Sequence, residues 1–161
     1  MQTKQVMSFS AGLVLLVVLQ VFFAGSAQAQ RNTIGSGTEV DPTANLRDRV
    51  VVGENCIIGA RTNIRDAVTI GNGVEIGEGV TIRDRVTIGN NVVIENGVVL
   101  RDGVSIDDGV TIEADAVLRD GVMVENAAHI GQDASLRDGV RVREGAKVPP
   151  GFEARDGQTI E

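Results

Sequence analysis

Aromatic residues are almost missing from this sequence. Its 161 residues include four Phe but no Tyr and no Trp, and the formal net charge is −7. Proteins that bind single-stranded nucleic acid stack its bases on aromatic side chains and follow its backbone with positive charge. The composition therefore argues against a nucleic-acid partner and against sugar recognition by stacking.

Histidine and cysteine each occur once. His129 is the only histidine, so a zinc site made of three histidines from one chain is excluded, and a symmetric trimer would supply only copies of the same position. The lone Cys56 cannot form a disulfide within the chain. It stands at an inward position of the repeat described below, where we expect it to fill space in the core. We expect no metal ion and no cofactor.

Residues 1–29 have the composition of a secretory signal peptide. Lys4 gives a positive start, an apolar run extends over residues 11–24, and Ala27-Gln28-Ala29 is a small-x-small cleavage site before Gln30. The alternative is an uncleaved membrane anchor, but the run is short for a span of about 20 residues. We therefore expect a periplasmic or secreted protein without a membrane span after cleavage, whose single domain is residues 30–161.

From Ile34 to Ile160 the sequence repeats every six residues without a gap. Each unit has an aliphatic lead residue: there are 22 lead positions, and all are Ile, Val or Leu except Ala154. In triplets such as Val104-Ser105-Ile106, the alternation of a strand puts the two apolar side chains on one side and the polar one on the other. Each unit therefore predicts one short strand followed by one corner.

The corners need a permissive backbone just before the next triplet. Gly occupies that position in most units, and Gly accepts positive φ at no steric cost. Arg49, Arg61 and Arg85 occupy the same position in three units. We expect those three corners to be strained or differently turned.

A second period of eighteen residues is superimposed on the first. Seven Arg-Asp pairs follow lead residues at this spacing: Arg47-Asp48, Arg65-Asp66, Arg83-Asp84, Arg101-Asp102, Arg119-Asp120, Arg137-Asp138 and Arg155-Asp156. Three strands and three corners then complete one coil, so residues eighteen apart stack, as in a solenoid of about seven coils. A periodic helix is rejected because one Gly in every six residues would cost about 1 kcal/mol each time.

The seven Arg-Asp pairs are the candidate binding residues. Both side chains point outward at one corner, and we expect each carboxylate to bridge the Arg groups of its own and the neighbouring coil. Such a network would keep the coils in register. It could also be a docking edge for a partner or a polyanion, or its Asp column could bind calcium.

The six-residue pattern resembles the bacterial hexapeptide-repeat proteins, in which an aliphatic residue is followed by Gly, Ala, Glu or Asp, two free residues, a small residue and one free residue. The resemblance implies an all-β fold, a left-handed parallel β-helix of triangular section. The family spans several chemistries, and its acyltransferases use a histidine as general base. The resemblance covers nearly all of residues 30–161.

The segment Ala128 to Asp133 is similar to the one that carries the base in the acyl-carrier-protein-dependent UDP-N-acetylglucosamine acyltransferases. The family's base position falls on Gln132, which cannot accept a proton at neutral pH. His129 matches a neighbouring histidine of that motif. It precedes an inward Ile, so we expect it to face outward.

These observations favour an exported, non-catalytic structural or interaction protein of the cell envelope, with an envelope protein or polysaccharide as its partner. No coil is interrupted by a loop that would build a substrate pocket. The alternative is an acyltransferase that uses His129 at a subunit seam.

We also expect a homo-oligomer, and favour a trimer over end-to-end growth. The outward apolar residues Val93, Val99, Val117 and Met123 would seal a lateral seam. The carboxyl-terminal end is blunted by Pro149, Pro150, Phe152 and Gln158.

Overall fold

In the computed structural model, which describes residues 32–161, each six-residue unit forms a strand of two residues and a corner. The strand consists of the outward residue and the lead residue that follows it, as in Ser105–Ile106. Three successive strands face three different directions before the chain returns beneath its starting point. The predicted three-sided coil is confirmed, with about seven coils and no helix among the described residues.

The strands form three parallel sheets, one on each side of the solenoid. The first sheet contains β1 (Thr33–Ile34), β4 (Val51–Val52), β7 (Thr69–Ile70), β10 (Thr87–Ile88), β13 (Ser105–Ile106), β16 (Met123–Val124), β19 (Arg141–Val142) and β21 (Thr159–Ile160). The second contains β2 (Glu39–Val40), β5 (Ile57–Ile58), β8 (Glu75–Ile76), β11 (Val93–Ile94), β14 (Thr111–Ile112), β17 (His129–Ile130) and β20 (Lys147–Val148). The third contains β3 (Asn45–Leu46), β6 (Asn63–Ile64), β9 (Thr81–Ile82), β12 (Val99–Leu100), β15 (Val117–Leu118) and β18 (Ser135–Leu136).

The register between coils is eighteen residues in every strand pair, as the sequence predicts. Ser105 lies opposite Thr87 on one side and Met123 on the other, and Ile106 lies between Ile88 and Val124. Like side chains therefore stack on like side chains, which is why the inward aliphatic residues form continuous ladders. The third sheet ends one strand early, because residue Glu153 makes only a single bridge to Ser135.

The core is the space inside the three sheets, filled by the lead residues and by the small residue two positions before each of them. Val104 and Ile106 are 0% and 1% exposed, respectively. At the amino-terminal end of the described residues, the lead residue Ile34 is 48% exposed. At the other end Phe152 is only partly buried. The predicted inward assignment is confirmed from Val50 to Val148, where every inward side chain is buried.

Cys56 belongs to this core, as predicted, with 1% of its surface exposed. Its thiol donates to the carbonyl oxygen of Gly71 at 3.1 Å. Thr62 occupies the same kind of position and its hydroxyl donates to the Gly77 carbonyl at 2.9 Å. A small polar group is tolerated inside because a carbonyl of the next coil lies within reach.

The corners turn in the left-handed region of the backbone. Gly103 has φ of 68°, and Arg49, Arg61 and Arg85 have φ of 60°, 57° and 60°. The prediction of strain at the three Arg corners is confirmed, because a side chain at positive φ costs roughly 1–2 kcal/mol. Those corners are not differently turned. From Asn55 onward, each amide at this position has an acceptor in the coil before: the Arg61 N–H donates to Thr43 Oγ1 at 3.0 Å, and the Arg85 N–H donates to the Asp66 carbonyl at 3.0 Å.

One corner near the amino-terminal end is built differently. Thr43 is outside the set of positive-φ residues, and its amide and hydroxyl both donate to Asp41 Oδ1, at 2.8 and 2.6 Å. The hydroxyl bond, then the amide bond and the nearby charge of Arg61 lower the pKa of the Asp41 carboxyl. An aspartate turn replaces the left-handed residue there.

The predicted signal peptide, residues 1–29, lies outside the described residues and stays a prediction. Between residues 32 and 161 there is no helix with the length and apolar character that a membrane crossing requires.

Val104→Asp is expected to lower the free energy of unfolding by several kcal/mol, because an unpaired carboxylate would replace a fully buried methyl pair. Ser105→Asp is the matched control, since the neighbouring side chain points outward. Urea unfolding followed by circular dichroism measures both. Equal midpoints for the two variants would contradict the inward assignment.

Candidate functional site

His129 stands in the outward column of the second sheet. Its strand partners are Thr111 in the coil before and Lys147 in the coil after. The side chain is 39% exposed, so the prediction that it faces outward is confirmed. Strand alternation fixes this direction, because Ile130 next to it is buried in the core.

Glu113 holds the imidazole in place. Its Oε1 lies 2.9 Å from His129 Nε2, and its Oε2 accepts the Gln132 backbone N–H at 2.8 Å. The carboxylate therefore ties two points of the next coil, the side chain of one residue and the amide of another. Both oxygens are used, so the side chain has little freedom to leave the histidine.

The same pair of contacts, in which one glutamate holds a side chain and a backbone amide of the next coil, occurs at Glu125. We call this arrangement a bracket. Its Oε1 accepts from Arg141 at 3.1 Å and its Oε2 from the Glu144 amide at 3.3 Å. In both brackets the glutamate holds the side chain sixteen residues ahead and the amide nineteen ahead. The bracket is thus a device of the fold, and only the copy at Glu113 holds a titratable ring.

A histidine bonded to a carboxylate through one nitrogen is a general base through the other. The bond to Glu113 puts the proton on Nε2, which leaves Nδ1 with a lone pair. The carboxylate also stabilises the imidazolium that forms when Nδ1 takes a proton. The pair is chemically competent to remove a proton from a hydroxyl or an amine.

Sequence reasoning identified His129 but missed Glu113. Glu113 lies in the preceding coil, sixteen residues earlier, and nothing in the repeat pattern distinguishes it from other outward acidic residues. A search for an acidic residue two positions after the stacking partner of His129 would have found it. Gln132, where the resemblance places the base, is exposed and contributes its backbone amide to Glu113.

The seven Arg-Asp pairs all lie at one corner, the one between the third and the first sheet. We call it the Arg-Asp corner, and it consists of residues 47–49, 65–67, 83–85, 101–103, 119–121, 137–139 and 155–157. Arg65, Arg83 and Arg101 are partly buried, and the Arg residues nearer the ends are exposed. The structure brings the predicted binding residues together in one straight edge.

The predicted interleaved ion pairs, however, are wrong. Among the described residues of this corner, only Arg47 has a carboxylate within ion-pair distance, Asp66 at 3.5 Å. The Asp oxygens bind the backbone instead: Asp84 Oδ1 accepts the Asp66 N–H at 3.0 Å, and Asp102 Oδ1 accepts the Asp84 N–H at 3.1 Å. The same kind of bond recurs in each coil of the column, from the Asp48 N–H, which donates to Asp66, to the Asp120 N–H, which donates to Asp138. Five of the seven carboxyls are thus held along the corner by amide bonds, those of Asp66, Asp84, Asp102, Asp120 and Asp138.

Two solvent-open depressions occur in the described part of the chain. One lies at the carboxyl-terminal end around Phe152 and Arg155, and the other around Met123 and Arg141. Neither is lined by His129. Within residues 32–161 no group of three or more His, Cys, Asp or Glu side chains is arranged to hold a metal ion.

The outward apolar residues lie where the sequence places them. Val99 stacks on Val117 in the third sheet, while Val93 and Met123 lie on the second and the first. Val99, Val117 and Val93 are partly buried, and Met123 is exposed.

Comparison with known proteins identifies the repeat. A model of the family described as bacterial transferase hexapeptide (six repeats) matches residues 33–66, 50–84 and 85–120, which together cover more than half of the chain. No curated protein matches the sequence.

Solved structures with a similar fold include two acyltransferases. The UDP-N-acetylglucosamine O-acyltransferase from Moraxella catarrhalis is 20% identical with a TM-score of 0.51, and the match covers 73% of this chain and 60% of that one. The UDP-N-acetylglucosamine acyltransferase from Bacteroides fragilis is 18% identical with a TM-score of 0.52, over 77% of this chain and 67% of that one. The chain spans less than two thirds of the Moraxella protein. At these identities the likeness concerns the fold.

These findings correct our functional expectation. The favoured prediction, a non-catalytic structural or interaction protein, is contradicted, because the matching family is one of transferases. The alternative, an acyltransferase, is better supported, and the role of His129 in it stays a prediction. The lack of loops excludes a substrate pocket only within a single copy of the chain.

Asp84→Ala is expected to destabilise the protein by about 1 kcal/mol, because the Asp66 amide loses its acceptor. Asp84→Asn should cost much less, since Asn72 and Asn90 already accept amides in this way at another corner. The midpoint of urea unfolding measures both variants. If both are equally destabilised, the charge of Asp84 matters and the amide bond does not.

Proposed function

The chain belongs to the bacterial transferase hexapeptide family, and from this premise we propose that it is an acyltransferase with His129 as its general base. The substrates we propose are an acyl thioester as donor and a hydroxyl or an amine as acceptor. The observation that carries the proposal is the bond between Glu113 and His129, at 2.9 Å.

The proposed reaction uses the free nitrogen of the imidazole. Nδ1 of His129 takes the proton of the acceptor as its oxygen or nitrogen attacks the thioester carbonyl. The carbon–sulfur bond breaks and its electron pair stays on sulfur, and the leaving thiolate takes up the proton held on Nδ1, which regenerates the neutral imidazole. Glu113 contributes by fixing the ring and stabilising its cationic form, and a base placed in this way accelerates transfer by about 10²–10⁴-fold.

The acyl donor and the acyl acceptor need a binding pocket, and one copy of the chain does not form one around His129. The second sheet is flat at this point, and its outward neighbours are Thr111 and Lys147. We propose that a neighbouring copy completes the pocket, so that His129 lies at a subunit seam of a homotrimer. The alternative of end-to-end growth is opposed by the early end of the third sheet near Pro149 and Pro150, because two compatible ends are needed for a filament.

We further propose that residues 1–29 direct export and are removed. Amino-terminal sequencing of the protein recovered from whole cells tests this proposal, with Gln30 as the expected first residue.

His129→Ala is expected to lower kcat for acyl transfer at least about 10²-fold, and Glu113→Gln by a smaller factor, because the neutral amide no longer stabilises the imidazolium. Glu125→Gln is the matched control, since Glu125 forms the same bracket around Arg141. Coenzyme A and acyl-carrier-protein thioesters are both tested as donors, with thiol release as the readout.

Turnover that survives His129→Ala unchanged would refute the proposed base. If Glu125→Gln lowers turnover as much as Glu113→Gln does, the two brackets act through stability alone. In that case Glu113 has no chemical role.

Sedimentation of the protein at several concentrations is expected to show a single species of three chains. Mass that grows with concentration, or fibrils seen by electron microscopy, would refute the trimer in favour of end-to-end growth. A monomer at every concentration would refute both, and with them the seam around His129.

A further inference from the structure

Positive charge is concentrated at the Arg-Asp corner. Nine of the thirteen Arg and Lys residues between positions 32 and 161 lie there, seven in the ladder together with Arg49 and Arg85. Against seven Asp they leave the corner with a net charge of +2. The rest of the described chain has four cationic and fifteen acidic residues, a net charge of −11. The corner is thus a cationic edge on an acidic protein.

The guanidinium groups of this edge have unused donors. Most of the Asp side chains that could have paired with them accept backbone amides of the neighbouring coil. Among the nine Arg residues of this corner, only Arg47 has an ion-pair partner within residues 32–161. Arg101 Nε is shielded from solvent and has no acceptor there. A shielded donor without an acceptor costs free energy unless a ligand supplies one.

The spacing of the donors is fixed by the backbone. Successive Arg residues stand one coil apart, about 4.8 Å, and a planar guanidinium binds a carboxylate with two parallel hydrogen bonds. The Asp column beside them keeps one oxygen of each carboxyl, Oδ2, outside the amide bonds. A row of donors therefore lies next to a row of acceptors along the whole solenoid.

We propose that the Arg-Asp corner binds an extended acidic polysaccharide, with carboxylates on the Arg column and hydroxyl groups on the Asp column. Such a chain offers an acceptor and a donor in each sugar, matching both columns. Polyphosphate matches less well, because it has no hydroxyl donors for Asp and its dense charge meets the Asp column and the acidic remainder of the protein. No aromatic stacking is needed, since the ionic and hydroxyl contacts give the recognition.

This site is independent of the proposed acyl transfer. His129 belongs to the second sheet, which is the side of the triangle opposite the Arg-Asp corner. A seam around His129 would leave the corner facing solvent, so that both sites operate in one assembly. Loss of either activity leaves the other intact.

The test measures binding of oligogalacturonate to the purified protein by calorimetry at low and moderate salt. The variant Arg65→Gln/Arg83→Gln/Arg101→Gln is expected to bind at least about tenfold more weakly, because three charge-assisted contacts are lost. The variant Arg61→Gln/Arg143→Gln/Lys147→Gln removes the same charge elsewhere and should bind within about twofold of the parent. Affinity should fall as salt rises, and the uncharged polymer galactan should not bind.

Equal weakening in the two triple variants would overturn the proposal, because net charge alone would then explain binding. Polyphosphate that binds as tightly as oligogalacturonate would overturn the choice of ligand. If the ladder variant changes the sedimentation of the protein, the corner is an interface between copies of this chain and the proposal fails. Acyl transfer by the ladder variant, measured in parallel, should stay at the parental rate.

Discussion

The hydrogen bond between one coil and the next is the interaction on which the rest of this structure depends. Each strand has only two residues, far too few to be stable alone, and it exists because its amides and carbonyls are paired above and below. The pairing fixes the register at eighteen residues, and the register decides which side chains stack. The aliphatic core, the Arg column and the Asp column are all consequences of that one spacing.

The corners show how the pairing is maintained where the chain turns. The backbone N–H of the positive-φ residue donates to a carbonyl of the preceding coil. An Asp or Asn side chain at the same corner accepts a backbone N–H from that preceding coil. Asp84 and Asn90 perform this task equally at two different corners, so hydrogen-bond acceptance and not charge is the requirement. Arg85 keeps its amide bonded to the Asp66 carbonyl of the preceding coil despite its unfavourable φ.

The sequence predicted the fold almost completely because every coil repeats the same physical demand. The alternation in Val104-Ser105-Ile106 assigns inside and outside, and the eighteen-residue spacing assigns the neighbours. It failed where contacts depend on side-chain detail: charges at Arg83 and Asp84 suggested an ion pair, whereas the Asp84 carboxylate accepts the backbone N–H of Asp66 instead. The partner of His129 was missed for a related reason. Glu113 lies in the coil next to His129 but two residues away from the position that stacks on it. The repeat pattern describes only residues that stack directly.

The contact between Glu113 and His129 depends on the number of residues between them, whereas the core and the corners depend only on the eighteen-residue repeat. Insertion between Glu113 and His129 of an eighteen-residue coil that carries neither residue would preserve the core, the corners and the register. It would also separate the two side chains of the dyad, replacing a contact across neighbouring coils with a gap of an entire layer. A coil added outside the span from Glu113 to His129 leaves their sixteen-residue spacing unchanged, while a foreign coil inserted inside it removes the contact.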